Sequence, residues 1–350
     1  MNPSPFLGVL LHAVGGFAAG SFYIPYKKVQ GWAWESYWLV GGFFSWIIAP
    51  WAIAYATCPD VIGVLAAAPH TAILWAYLFG ILWGIGGLTF GLSMRYLGMS
   101  LGYALALGFC AAFGTIIPPI FKGEFSEMVA KASGDVTLLG VFVCLVGIAI
   151  CGLAGVFKER ELSADQKQSV MPEFNFSKGL WVAIFAGIMS ACMAFAIQAG
   201  KPIAELAVQH GAPDLFKNTP AFIVILAGGF TTNFLWCVTL NIRNKTGGDY
   251  LRAPDASMLL NYIFSGLAGV TWYCQFFFYG MGTTRMGKYD FSSWTIHMAF
   301  IIVFSNLWGI YFREWKGSSI RTRIVVIGGI AVLVLSTVVV GLGNYLAAPK

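Results

Sequence analysis

Ten apolar runs, each about twenty residues long, recur along this chain of 350 residues. They lie near 5–25, 34–56, 71–94, 98–121, 136–156, 179–200, 217–241, 257–281, 289–312 and 321–346. A run of about 20 apolar residues crosses the hydrocarbon core as a helix. Only a helix, or a closed barrel, satisfies its backbone hydrogen bonds there. The alternation of apolar and polar residues that marks a barrel strand is absent. Charged residues make up 10% of the chain, against about 25% in soluble domains. The pattern predicts an all-α polytopic membrane protein with ten transmembrane helices.

The net charge of +6 does not point to nucleic acid. The Lys and Arg residues sit in short clusters between apolar runs, as inter-helix loops require. The seven cysteines show no CxxC spacing, and all but Cys58 lie inside apolar runs. They are read as small hydrophobes, with neither a disulfide framework nor a metal site. No cofactor is expected. HExxH, GxSxG and GxxxxGK[ST] motifs are absent, and His12, His70, His210 and His297 stand far apart in sequence, which argues against an enzyme. The first apolar run lacks a positive n-region and a clear cleavage site, so it is read as a span rather than a signal peptide.

The longest polar linker, 158–178, divides the chain into residues 1–157 and 179–350, five runs each. The halves echo one another. Arg95 and Glu124 are separated by the same distance in sequence as Arg285 and Glu314, and FYIPYKK (Phe22–Lys28) is faintly matched by FAIQAGK (Phe195–Lys201). Five is an odd number, so the second half must enter the membrane from the opposite side. That predicts two inverted five-helix repeats, an architecture of secondary transporters with a site near the midplane. The loops after runs 1, 3, 5, 7 and 9 carry 14 of the 21 Lys and Arg residues. By the positive-inside rule these loops are cytoplasmic and both termini periplasmic.

Four stretches carry a resemblance: FYIPYKKVQGWAWE, WGIGGLTFGLSMRYLGMSLG, WYCQFFFYGMG and YDFSSWTIHMAF. With them the whole chain resembles the L-rhamnose–proton symporter family of the drug/metabolite transporter superfamily. The resemblance implies a bacterial inner-membrane importer of a 6-deoxyhexose, driven by the proton gradient. Its partners would be a small neutral sugar, the proton and the bilayer. A neutral substrate fits the span interiors, which hold almost no Lys or Arg. The alternative is a superfamily exporter of amino acids or small metabolites, since fold alone does not fix function.

Ionisable and polar groups within spans are costly, about 2.5–3.5 kcal/mol for a central charge, and so are candidate site residues. In run 1, His12 shares a helical face with Gly16, Ala19, Tyr23 and Tyr26; the face serves either helix packing or a cavity. In run 9, Asp290, Trp294 and His297 fall on one face and could bind and release a proton; alternatively Asp290 caps the helix start. In run 8, Thr271, Gln275 and Tyr279 share a face whose amide and hydroxyls suit a sugar. Gln198 and Asn306 are further amides, equally suited to inter-helix hydrogen bonds. Glu35 opens run 2 and is either a solvated edge residue or a proton site. Lys28 and Glu35 form a candidate gate or ion pair, with Lys201 and Glu205 as the symmetric pair, although a lysine at a helix end also snorkels readily. Protonation is assigned to His297, Asp290, Glu35 or His12. Sugar binding is assigned to Gln275, Tyr279, Thr271, Trp294, Tyr23, Gln198 and Asn306.

Overall fold

The computed structural model describes residues 4–121, 125–161, 173–252, 257–286 and 293–347. Among the described residues the chain is helical and has no strand. The helices are α1 (Pro5–Ser21), α2 (Tyr23–Tyr26), α3 (Trp34–Phe43), α4 (Ala49–Thr57), α5 (Val61–Ala67), α6 (His70–Phe121), α7 (Phe125–Val129) and α8 (Ala132–Glu161). They continue as α9 (Phe176–Ser190), α10 (Cys192–Gln209), α11 (Thr219–Asn244), α12 (Met258–Met286), α13 (Ser293–Tyr311) and α14 (Ile320–Ala347). A π-helical turn, Phe44–Ile48, joins α3 to α4.

Eight helical runs among the described residues are long and apolar enough to cross a membrane: Pro5–Tyr26, Trp34–Thr57, His70–Gly98, Ser100–Ile117, Ala132–Lys158, Phe176–Gln209, Asp214–Asn244 and Ile320–Gly343. The chain is a multi-pass membrane protein. The other two expected runs, 257–281 and 289–312, meet α12 and α13, although residues 287–292 lie outside the described ones. Helix α12 is diluted by Asn261, Trp272, Tyr273, Gln275 and Tyr279, and the apolar part of α13 is short, Ile296–Tyr311. The burial pattern is that of a membrane protein. Trp181 and Ile320 are 70% and 77% exposed, while His12, Glu35 and Asn233 are buried. Apolar side chains face outward because lipid, unlike water, does not penalise them.

The expected linker, 158–178, is helical at its start, because α8 continues to Glu161. At its end Asn175 caps α9, its side chain accepting from the Lys178 N–H at 3.0 Å.

The chain divides into two compact units. The first comprises Ser21–Ile85 and Cys192–Thr284. Its helices α6 and α11 meet through glycines: a Cβ at Gly84 would lie 2.8 Å from the Gly229 Cα. Without side chains at these points, backbones approach closely, and polar groups then bond across the seam. Tyr77 Oη and Thr231 Oγ1 are 2.7 Å apart, and Thr232 Oγ1 donates to the Ile81 carbonyl at 2.9 Å.

The second unit comprises Pro3–Gly20, Gly86–Ala191 and Arg285–Lys350. Helix α6 doubles back inside it at Gly98, whose φ of 81° and ψ of 172° break the helix. Glycine adopts positive φ without the Cβ penalty. The two arms fold together, Met94 packing on Gly102 and Phe90 on Tyr103. Helices α8 and α14 run antiparallel in one unbroken register. Gly329 meets Cys151, Gly147 meets Leu333, Gly140 meets Val340, and Gly343 meets Thr137. At its end the Glu161 carboxylate accepts from the Ser319 N–H at 2.8 Å and from the hydroxyls of Ser319 and Thr322, each at 2.7 Å, capping α14. These bonds hold the Glu161 carboxyl below the ordinary carboxylate range, the Ser319 N–H contributing most.

Candidate functional site

The candidate residues sort between the two units. In the first lie Tyr23, Lys28, Glu35, Gln198, Lys201, Glu205, Thr271, Gln275 and Tyr279; in the second lie His12, Trp294, His297 and Asn306. Asp290 falls outside the described residues.

In the first unit aromatic rings form a chamber around the π turn. Trp272 packs against Trp46 at 5.4 Å, Trp83 at 5.4 Å and Phe276 at 5.1 Å between ring centroids. Trp38 stacks on Trp34 at 5.0 Å and on Tyr26 at 5.8 Å. Its indole N–H donates to Asn233 Oδ1 at 2.9 Å, which satisfies a buried polar pair. Phe22, Ser45, Trp46 and Trp272 enclose a gap of about 10 Å³, room for about one water. The π turn places Ser45 and Trp46 at this gap, and such turns recur at functional sites. Gln275, on the same helix as Trp272, is buried, and among the described residues no hydrogen bond engages its amide. Thr271 is half-buried, while Tyr23 and Tyr279 are buried.

Glu35 is buried, but not beside Lys28. Its Oε1 accepts from Asn244 Nδ2 and Thr246 Oγ1, each at 2.9 Å. The next residue, Ser36, donates to Asn241 Oδ1 at 3.1 Å and to Asp249 Oδ2 at 2.7 Å. The start of α3 is thus laced to the end of α11 and the turn after it. Lys28 is exposed, and among the described residues no ion pair joins it to Glu35. Lys201 and Glu205 are both exposed, and among the described residues they form no ion pair either; Gln198 is exposed too.

In the second unit His12 and His297 meet. Both are buried, and their rings stand edge to face with centroids 6.0 Å apart. Helices α1 and α13 bring them together because Gly16 and Gly20 leave room: a Cβ at Gly20 would lie 3.0 Å from the Phe304 Cβ. The face expected on α1 is therefore both a packing face and the seat of an imidazole pair. The Ala19 carbonyl on that face accepts from Tyr103 Oη at 2.8 Å. Farther along α13, Asn306 accepts from the Ser100 hydroxyl and donates to the Ile302 carbonyl at 2.8 Å. The Ser100 N–H donates to Glu314 Oε2 at 3.0 Å. Trp294 is half-buried.

The first unit thus holds a buried carboxylate, a buried amide and an aromatic cluster, and the second a pair of buried imidazoles. The sequence model of the family described as L-rhamnose-proton symport protein (RhaT) matches residues 1–347. The chain belongs to this family. Two similar proteins are the L-rhamnose-proton symporters of Yersinia pestis (strain Pestoides F) and Yersinia pseudotuberculosis serotype O:3 (strain YPIII). Each is 38% identical over 346 residues, covering 98% of this chain and 99% of the relative. A symport family member is a transporter and not an enzyme.

Sequence reasoning passed over several residues that the symport fold of this chain brings together. Asn241, Asn244, Thr246 and Asp249 surround Glu35 and Ser36. Their clustering in NIRNKTGGDY (Asn241–Tyr250) was the available signal. Lys158, counted among loop cations, is 1% exposed, with its ammonium 4.6 Å from the Trp315 ring centroid and 5.3 Å from that of Phe174. An aromatic cage of this kind holds a cation at reduced desolvation cost.

Proposed function

We propose that this chain imports L-rhamnose, or a closely related 6-deoxyhexose, together with protons by alternating access. The observation that carries the reading is the end-to-end match to L-rhamnose-proton symporters, over 98% of this chain and 99% of theirs. The architecture we infer is ten spans in two inverted five-helix halves, 1–157 and 179–350. The antiparallel seam of α8 and α14, the last helix of each half, supports it. So does the equal spacing of the two Arg–Glu pairs. The excess of Lys and Arg supports cytoplasmic loops after spans 1, 3, 5, 7 and 9, with periplasmic termini in the bacterial inner membrane.

The proton is held at the His12–His297 pair, with Glu35 and Asp290 as further carriers. Two imidazoles in contact can share one proton, and imidazole exchanges it near neutral pH. The sugar is held by groups that match its two faces. The Gln275 amide presents a donor and an acceptor to adjacent hydroxyls, with Thr271 and Tyr279 on the same helical face. Aromatic rings cover the apolar C–H face and the methyl group of a deoxysugar. The network that joins Glu35 to Asn244 and Thr246 acts as a latch at the start of span 2. A ligand drives the change of access only by binding one state better than the other.

The test is uptake of labelled L-rhamnose by purified protein in proteoliposomes, under an inward proton gradient and with a protonophore. Accumulation above equilibrium that collapses with the protonophore is the expected result. Uptake indifferent to the gradient would overturn the proposal.

A further inference from the structure

Where α13 ends and α14 begins, the second unit carries a groove of about 360 Å³. Among the described residues three cations line it, Arg313, Lys316 and Arg323, and no carboxylate does. All three are exposed. The two nearby carboxylates are committed elsewhere: Glu314 to the Ser100 N–H, and Glu161 to Ser319 and Thr322. Arg321, also close in sequence, lies over the Phe157 ring at 5.3 Å. Ser100, Asn306 and Trp315 line its inner part, and Ile310, Ile327 and Ile330 form an aliphatic side. Ile310 and Ile327 are 59% and 56% exposed, and they run on to Ile320 and Ile324 at 77% and 65%. The groove thus joins a cationic mouth to an uncovered aliphatic flank.

Each half of that description narrows the occupant. Three cations concentrated in one groove repel one another, and an anion relieves the repulsion. An Arg fork matches phosphate oxygens two at a time. A neutral sugar leaves that repulsion unrelieved. A free anion such as phosphate would use the mouth but leave the aliphatic flank uncovered. An anionic phospholipid uses both, with phosphate at the cations and an acyl chain along the isoleucines. Basic pockets between transmembrane helices are suited to headgroups of this kind. The size agrees, because the groove admits a phosphoglycerol headgroup and leaves the chains outside, against the helix. The position agrees too, since α14 leaves its capped first turn and becomes apolar at once after Arg323.

We propose that the groove formed by the end of α13 and the start of α14 is a binding site for an anionic glycerophospholipid, its phosphate held by Arg313, Lys316 and Arg323. The groove reaches Asn306, one of the amides marked for sugar in the sequence, but the three cations that hold the phosphate are assigned to neither sugar nor proton, and the site does not depend on which solute is carried.

The test uses the full-length protein purified in neutral detergent. Phosphatidylglycerol and phosphatidylcholine of identical acyl chains are titrated as mixed micelles, and bound lipid is counted by native mass spectrometry. The wild type should retain phosphatidylglycerol at least about tenfold more readily than phosphatidylcholine. In R313Q/K316Q/R323Q that preference should fall to within about twofold. A triple variant that keeps the full preference would overturn the proposal, as would a wild type with none. Because the triple variant removes three charges at once, I327C carrying an environment-sensitive dye provides a second measurement on a surface substitution. Brominated phosphatidylglycerol should quench that dye at lower mole fraction than brominated phosphatidylcholine. Equal quenching by the two would overturn the site. Finally, millimolar inorganic phosphate should not displace the lipid. Displacement by phosphate would replace the lipid site with a free-anion site and so overturn the proposal.

Discussion

Glu314 accepts a hydrogen bond from the backbone N–H of Ser100, 214 positions away in sequence, at 3.0 Å. The bond falls where the chain leaves Gly98 and begins its next span, at a turn whose N–H groups have no partners within the helix. The positive end of a helix favours a carboxylate there.

Loss of this cap has a predictable cost. Glu314→Ala should destabilise the protein by about 1–2 kcal/mol, in the range of a lost N-cap. Glu314→Gln keeps an acceptor oxygen and should cost less. Thermal unfolding in detergent should show a drop of about 2–4 °C per kcal/mol for the alanine variant, with the glutamine variant in between. Equal melting of all three proteins would show that the bond contributes nothing.

The histidine pair makes a prediction about coupling rather than stability. His297→Ala should abolish gradient-driven accumulation of rhamnose while leaving sugar exchange across equilibrated vesicles. His12→Ala should do the same, and the double variant should be no worse than either single one, because the two rings act as one unit. Strictly multiplicative losses would separate them.

For the sugar, Gln275→Ala should raise the apparent KM for rhamnose about 3–10-fold, the equivalent of one net hydrogen bond. It should leave the pH dependence of uptake unchanged. A shift in that dependence instead would move Gln275 from the sugar to the proton.

Lys28→Ala and Glu35→Ala should add in their effects on stability, since Lys28 is exposed and Glu35 is held by Asn244 and Thr246. Glu35→Ala and Asn244→Ala should not add, with a coupling of about 1 kcal/mol for residues in one network. A double-mutant cycle read by thermal unfolding distinguishes the two pairs.

Outside the spans, His210 Nδ1 donates to Asp60 Oδ2 at 2.8 Å, tying the short helix α5 to the end of α10. That bond, with the Gly63 N–H behind it, holds the Asp60 carboxyl below the ordinary carboxylate range. A carboxyl depressed by folding adds stability above its unfolded pKa of about 3.9. It loses that stability as the pH falls through its folded value. The difference in melting temperature between wild type and Asp60→Asn should therefore be steady near neutral pH and shrink below about pH 4. A difference that persists at lower pH would contradict this assignment.

The helices were legible in the sequence because twenty consecutive apolar residues have few other uses. Expected ends such as 34–56 and 321–346 lie within a residue or so of the observed helices. Partners were not legible, because a bundle chooses them in three dimensions. Lys28 lies close to Glu35 along the chain and invites pairing, yet Glu35 turns to a loop two hundred residues on, where Asn244 and Thr246 donate to it. His12 and His297 could each be marked as costly in a membrane, but only the glycines of α1 bring them together. Lys158 looked like a loop cation because aromatic cover from Phe174 and Trp315 leaves no periodic trace. The π turn escaped notice for the same reason: FSWII (Phe44–Ile48) carries no proline or glycine to announce it.

That turn bears on how relatives of this chain should be aligned. Each residue of an α-helix advances the chain by about 100°, and a π turn holds one residue more than the α turn it replaces. A homologue with one residue fewer between Phe44 and Ile48 would run as plain α-helix and still span the bilayer. Everything downstream, Trp51 and Tyr55 included, would keep its face relative to Glu35 and Trp38, because the π turn absorbs its extra residue within about one turn. A single-residue gap in the middle of this span would then mark the π turn itself, and closing it by hand would align residues that face about 100° apart.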